Sequence, residues 1–203
     1  MAFPLPPENM KERHPFPELE TERLILRQMT MDDLDFYFKH FSVREIVEGS
    51  SYPAPADLGA ARQELQRFII DLFERGTGYR WGIARKSEDR LIGTCGYYLW
   101  DKEVRKAEIG YDLEPQFWGL GMMTEALSEM LRFGFEEMNL NRIQVKSAPS
   151  NERSIKLIRR LGFKKEGVLR DNFIFMGELQ DDVLFSLLRK EWDEKHKRAA
   201  GIR

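Results

Sequence analysis

Residues 108–127 read EIGYDLEPQFWGLGMMTEAL, from Glu108 to Leu127. Taken back to Ala107, the first part alternates. Ala107, Ile109, Tyr111 and Leu113 fall on one side, and Glu108, Gly110 and Asp112 on the other. A period of two predicts a strand. Glu114-Pro115 follows it, then Gly119-Leu120-Gly121, then an apolar, helix-forming run to about Met138. The first N–H groups of a helix have no partner within it, and the helix dipole adds partial positive charge, so this order of elements can bind phosphate. Glycine lets those N–H groups meet a ligand with no Cβ in the way. The loop holds no lysine or arginine, so main-chain donors would carry the binding.

Two common phosphate loops do not fit. A nucleoside triphosphate loop needs Gly-x-x-x-x-Gly-Lys-Ser/Thr, whereas Met122-Met123-Thr124 follows Gly121. A dinucleotide fold needs Gly-x-Gly-x-x-Gly after the first strand, and Thr124 stands where its third glycine would be. On its own, a Gly-x-Gly pair is equally a tight turn that packs a helix on a sheet.

The chain of 203 residues is long enough for one domain with a real core, and 42% of it is apolar. A net charge of −2 gives no basic excess for nucleic acid. No stretch of about 18 apolar residues is present, so no membrane span is expected. The N-terminal residues lack the charged-then-apolar layout of a secretory signal. One cysteine, Cys95, excludes an internal disulfide and suits a reducing, cytoplasmic setting. His14, His40 and His196 are far apart and near no second ligand-type cluster, so no metal site is expected, and each reads as a surface or partly buried side chain.

Around the central stretch the chain divides into a proline-rich arm over residues 1–18 (Pro4, Pro6, Pro7, Pro15 and Pro17), one domain over 19–192 and a charged tail over 193–203, expected to fray. Thr21–Met29 alternates, with Leu24 and Leu26 on one face, and predicts the first strand. Thr30 caps a helix with Asp32 and Asp33 in its first turn. Asp57 opens a second helix, with Leu58, Ala61, Leu65, Phe68, Ile69, Leu72 and Phe73 at helical spacing. Tyr79–Ala84 and Leu91–Trp100 predict a hairpin, and Ile143–Ala148 a strand. Asn151–Leu161 predicts a helix stopped by Gly162. Phe163–Val168, Phe173–Met176 and Val183–Leu188 predict the last strands. The order is β-α-α-β-β-β-α-β-α-β-β: a mixed α/β (α+β) fold with a twisted, largely antiparallel sheet of about seven strands and helices on both faces.

The central stretch, with Asn151-Glu152-Arg153-Ser154-Ile155-Lys156-Leu157-Ile158-Arg159-Arg160-Leu161-Gly162-Phe163 after it, resembles the GNAT superfamily of acyl-CoA-dependent N-acetyltransferases. The resemblance covers roughly Thr21 to Trp192 and is nearest to the ribosomal-protein-alanine (RimJ/RimL-like) branch. It implies that acetyl-CoA is the co-substrate. Its pyrophosphate would be received by the N–H groups of Gly119, Leu120, Gly121, Met122 and Met123, in the Gln116-x-x-Gly119-x-Gly121 motif. Leu113 would pair with the pantetheine arm through its main chain, and Asn151 would meet the cofactor where its strand and the next splay apart. By its residue type, Asn151 is also a good helix N-cap.

Transfer from a thioester to an amine requires the amine to lose a proton, the oxyanion to find donors and the thiolate to be eased away. Glu108, where family members often carry an acid, is the candidate base; a solvated or ion-paired strand glutamate is the alternative, and Asp112 or a water chain are others. Glu125 reads as a helix-start acid. Many members place a tyrosine seven residues after the position of Asn151 to protonate the thiolate. Here that position is Ile158, so Ser154 is the candidate donor. Cys95, in an apolar strand, reads as a core thiol. The acceptor side would be formed by Phe36, Tyr37, Tyr52 and Phe173 with Glu45, Glu48, Glu178, Asp181 and Asp182, and an acidic rim suits a cationic amine. A peptide N-terminus, a polyamine and an amine-bearing antibiotic all remain open, as do monomer and homodimer. The rival class is a coenzyme A-binding sensor module without turnover.

Overall fold

A computed structural model describes residues 15–50, 52–88 and 90–199 of the chain. Its strands are β1 (Leu19–Glu20), β2 (Leu24–Gln28), β3 (Tyr79–Arg85), β4 (Arg90–Asp101), β5 (Lys106–Leu113), β6 (Arg142–Ser147), β7 (Lys164–Phe175) and β8 (Glu178–Leu188). They form one sheet in the spatial order β1-β2-β3-β4-β5-β6-β8-β7. Neighbours run antiparallel except β5 and β6, which are parallel. β1, only two residues long, is a strand the sequence reading does not expect.

The helices are α1 (Leu34–His40), α2 (Arg44–Ser50), α3 (Leu58–Leu65), α4 (Asp71–Glu74), α5 (Met122–Glu136), α6 (Glu152–Leu161) and α7 (Arg189–Ala199). Thr30 closes a capping box with Asp33 ahead of α1, and Asp57 caps α3 through the amide of Ala60. A π-helical turn, Gln66–Ile70, joins α3 to α4. α5 buries Met123, Ala126, Leu127, Met130 and Leu131, the i, i+3, i+4 stripe of an amphipathic helix. That stripe joins a large core with Leu24, Leu26, Trp81, Ile109 and Ile143 from the sheet. Each of these fully buried aliphatic side chains contributes about 1.5–3 kcal/mol. A second, smaller core forms around α1 and α3, including Leu34, Tyr37, Ala61 and Leu65.

Three expectations change here. The three short final strands are two long ones, paired with irregularities between Lys165 and Gly167 and between Leu169 and Phe173. The segment after Thr30 breaks into α1 and α2 rather than one helix. The tail begins as a helix: α7 runs to Ala199, and Trp192 is buried against Phe135 at 5.3 Å between ring centroids. Of the N-terminal arm, residues 1–14, including His14, lie outside the described residues. Phe16 packs edge-on against Phe73, Tyr79 and Trp81, and the Pro17 carbonyl accepts a 2.6 Å bond from the Trp81 indole.

Candidate active site

The site begins where two strands part. β5 and β6 are in register at Lys106↔Arg142, Ala107↔Ile143 and Glu108↔Gln144, and their pairing stops there. On its other side β5 stays paired with β4 as far as Leu113. The Glu114 N–H donates to the Ile92 carbonyl at 2.8 Å. Antiparallel alternation then turns the main-chain groups of Tyr111 and Leu113 toward the opposite edge, where β6 has left. The result is a V, open toward the glycine turn, between strand edges that no further strand covers. Main-chain donors and acceptors of this kind are an invitation to an added, strand-like ligand.

At the mouth of the V, Gly119 and Gly121 have φ of +77° and +79°. Only the backbone conformation demands glycine there. A Cβ on Gly119 would meet nothing within 4 Å, and one on Gly121 would meet Arg23 Nη2 at an ordinary 3.5 Å. Gly121 is the N-cap of α5 and offers no side chain to cap it, and the first helical bond is Glu125 N–H to Gly121 O at 3.0 Å. The amides of the first turn therefore point out of the helix without an internal partner. A cradle of bare amides at a dipole's positive end fits a diphosphate.

Tertiary structure adds cations that the loop itself lacks. Arg23 donates to the Leu120 carbonyl at 3.1 Å and pairs with Glu125 at 2.7 Å. Glu125 also accepts from Thr21 Oγ1 (2.6 Å) and the Arg23 amide (2.8 Å). Burial alone would raise its carboxyl, but these bonds and the Arg23 charge hold it below the usual range. Arg153, on α6, stacks 3.4 Å from the centroid of Trp118, whose indole N–H donates to the Leu113 carbonyl at 2.7 Å. Gln116 is exposed and turned to Glu114 Oε2 at 2.8 Å.

The two faces of β5 diverge in chemistry. On the α5–α6 face, the Tyr111 hydroxyl lies 2.8 Å from Ser154 Oγ, linking β5 to the start of α6. Burial pushes the Tyr111 phenol up to about 12, so it stays protonated, although Ser154 partly opposes the shift. Sequence reasoning missed Tyr111; its one available signal was the strand parity. Ser147, on β6 past the last pair with β5, has a buried hydroxyl without a hydrogen-bond partner.

On the other face Glu108 is 3% exposed at the vertex of the V. Its oxygens accept from Tyr98 OH (2.7 Å) and Gln144 Nε2 (2.8 Å), and Lys146 Nζ lies at 3.2 Å. A carboxylate has about four lone-pair sites, so roughly one remains. Asp112 is tied into a separate cluster. It holds Arg80 at 2.5 Å, His40 Nε2 at 2.6 Å and Thr94 through both its amide (3.0 Å) and its hydroxyl (2.8 Å). Burial acts to raise its carboxyl, but the His40 and Arg80 charges, with the His40 and Thr94 bonds, outweigh that and hold it low. With every oxygen engaged, Asp112 is an anchor, not a free base. His40, read from the sequence as a surface or partly buried residue, is 1% exposed, and its Nδ1 has no partner. It lies where α1 meets the sheet, a contact no local pattern announces. His196 keeps to its own helix, its Nδ1 2.8 Å from the Trp192 carbonyl.

A family model described as an acetyltransferase (GNAT) domain matches residues 23–164. The chain belongs to the GNAT acetyltransferases. An uncharacterized N-acetyltransferase of Bacillus licheniformis, p20, is 42% identical over 174 residues, spanning 86% of this chain and 97% of the relative. The [ribosomal protein uS5]-alanine N-acetyltransferase of Escherichia coli is 29% identical over 188 residues, spanning 86% and 92%. The solved ribosomal-protein-S5-alanine acetyltransferase of Vibrio fischeri superposes with a TM-score of 0.75 at 24% identity, covering 87% of this chain and 98% of that one, a likeness of fold. This GNAT chain is an acetyl-CoA-dependent acyltransferase. Among the described residues no cluster of three or more His, Cys, Asp or Glu is placed to hold a metal, and no helix is long and apolar enough to cross a membrane.

Asn151, the residue the resemblance places beside the cofactor, caps its helix as its residue type suggests and makes one further bond. Its Oδ1 caps α6 by accepting from the Ser154 amide at 3.1 Å, and its Nδ2 donates to the Gly49 carbonyl at 3.1 Å. The expected acceptor-side residues differ in their surroundings. Tyr37 is buried in the small core, Tyr52 is 59% exposed, Glu48 pairs with Arg44, and Asp182 is buried against Asn172.

Proposed function

We propose that this GNAT acetyltransferase moves an acetyl group from acetyl-CoA to the α-amine of a protein N-terminus by direct attack, with no covalent enzyme intermediate. The observation carrying the reading is the V left when β5 and β6 part after Glu108↔Gln144, opening onto the bare amides of α5. The N–H groups of Gly119, Leu120, Gly121, Met122 and Met123 grip the diphosphate, and Arg23 and Arg153 add positive charge beside it. The main chains of Tyr111 and Leu113 hold the pantetheine arm, provided the Trp118 indole shares or yields the Leu113 carbonyl. Bound acetyl-CoA supplies the activated thioester.

Glu108 accepts the amine's proton. Three donors already occupy its oxygens, and the demand placed on it depends on the substrate. An α-amine with a pKa of about 8 is roughly one-tenth free at pH 7, whereas an alkyl amine near 10.4 requires about 3 kcal/mol more. The first asks less of the base. The alanine N-acetyltransferase relative points the same way. Ser154, hydrogen-bonded to Tyr111, donates toward the leaving sulfur. A phenol near 12 does not surrender its proton to a thiolate of ordinary pKa near 8.5, so the pair stabilises the thiolate without neutralising it. Cys95 is fully buried with its thiol pushed up to about 12, which keeps it out of the chemistry and suits a reducing, cytoplasmic setting.

The test is coenzyme A release from acetyl-CoA with Ala- and Ser-starting peptides, spermidine and an aminoglycoside. Turnover fastest with the peptides is expected. Faster turnover with spermidine or the aminoglycoside refutes the α-amine reading. Thermal stabilisation by coenzyme A without release from any amine makes the chain a binding module.

A further inference from the structure

We infer that Asn151 is a positioning residue for the acceptor. α2 packs on β5, at one lip of the V. Its other end reaches the opposite lip, because Asn151 heads the helix that follows β6 and donates to Gly49 O. The carbonyls of a helix's last turn lack partners within it, and Gly49 is the penultimate residue of α2. One amide thus performs two tasks: Oδ1 caps α6 and Nδ2 latches α2. The same short chain continues inward, from the Ser154 amide on Asn151 to the Ser154 hydroxyl on Tyr111. His40, bonded to Asp112, pins the end of α1 to β5. Between these two pins lies α2, packed on β5, the strand that carries Glu108. The latch fixes the wall the acceptor meets, and it ties that wall to the helix that borders the cofactor slot.

The inference rests on reading the V as that slot, and the variants separate the two ideas. Asn151→Asp keeps the cap, since Asp and Asn are equivalent N-caps. It replaces the latching donor with an oxygen that repels Gly49 O. Asn151→Ser also keeps a capping oxygen, and its hydroxyl, on a shorter side chain, stops short of Gly49 O without adding charge. For both variants the KM for the acceptor peptide should rise about five-fold or more, the loss expected for one neutral hydrogen bond. The KM for acetyl-CoA should not change, the melting temperature should fall by about 2–4 °C, and amide exchange over residues 44–50 should quicken. A role confined to capping predicts no change in any of these, and that result overturns the inference. So does a rise confined to the acetyl-CoA KM, which makes Asn151 a cofactor ligand. Gly121→Val run beside them should weaken acetyl-CoA binding. If it does not, the slot itself is misassigned, and the latch falls with it.

Discussion

Replacing Gly121 tests the cradle most directly. Its φ of +79° lies in the left-handed region, where an L-residue costs about 1–2 kcal/mol. Space is not the obstacle for a single methyl group, because the nearest atom to a Cβ is Arg23 Nη2 at 3.5 Å. Gly121→Ala therefore isolates strain. If the turn holds its shape, the strain appears as a melting temperature lower by about 2–8 °C. If the turn relaxes to negative φ, the amides of Met122 and Met123 swing away, and acetyl-CoA affinity falls by about 5- to 30-fold, the same energy read as binding. The two losses should sum to the one strain. Gly121→Val adds branched bulk at the mouth of the cradle and a steeper backbone penalty. We expect its affinity, measured by calorimetry with coenzyme A, to fall well below that of Gly121→Ala. Gly167→Ala, on β7, is the control: a Cβ there meets nothing and φ lies outside the left-handed region, so neither quantity should move. Wild-type affinity in Gly121→Val, with only its melting temperature lowered, would show that no diphosphate lies against this turn.

Other outcomes follow from the same geometry. Glu108→Gln should lower kcat/KM at pH 7 by about 10- to 100-fold, the low end of general-base effects because the carboxylate is already engaged; raising the pH should restore part of it. A pH-independent, near-normal rate removes Glu108 from the mechanism. Asp112→Asn should destabilise the fold at neutral pH by about 3–5 kcal/mol, since it strands the buried partners Arg80 and His40. The Asp112 carboxyl is lower when folded than when unfolded, so its contribution is complete above an unfolded value of about 3.9 and is lost as pH falls through the folded one. The gap in melting temperature between wild type and variant should accordingly be widest above about pH 5 and narrow in acid; a gap that does not narrow contradicts the assignment. Tyr111→Phe should lower kcat while leaving the KM for acetyl-CoA in place, and an unchanged kcat would detach the Tyr111–Ser154 pair from the leaving group. Cys95 should resist thiol reagents in the native protein and react only as fast as the chain opens, which a labelling time course reads directly.

What the sequence determined by itself is local. Alternation over residues 107–113 sets which side chains of β5 share a face. The glycine pair and the apolar run after it set a helix whose first amides are bare. Asn151 and Gly162 mark both ends of α6, and Asp57 marks the start of α3. These features depend on dihedral preferences and on groups a few residues apart, so they can be read without a fold. Only tertiary structure decided the rest: that β5 and β6 part after Glu108, that Trp118 folds back to Leu113, that Arg23 arrives beside a loop about a hundred residues away, and that His40 seeks out Asp112. Buried polar groups must find partners wherever packing brings them, and packing is set by the whole core rather than by neighbours in the chain. For that reason Glu108 was legible as a candidate acid, but the three donors that engage it were not.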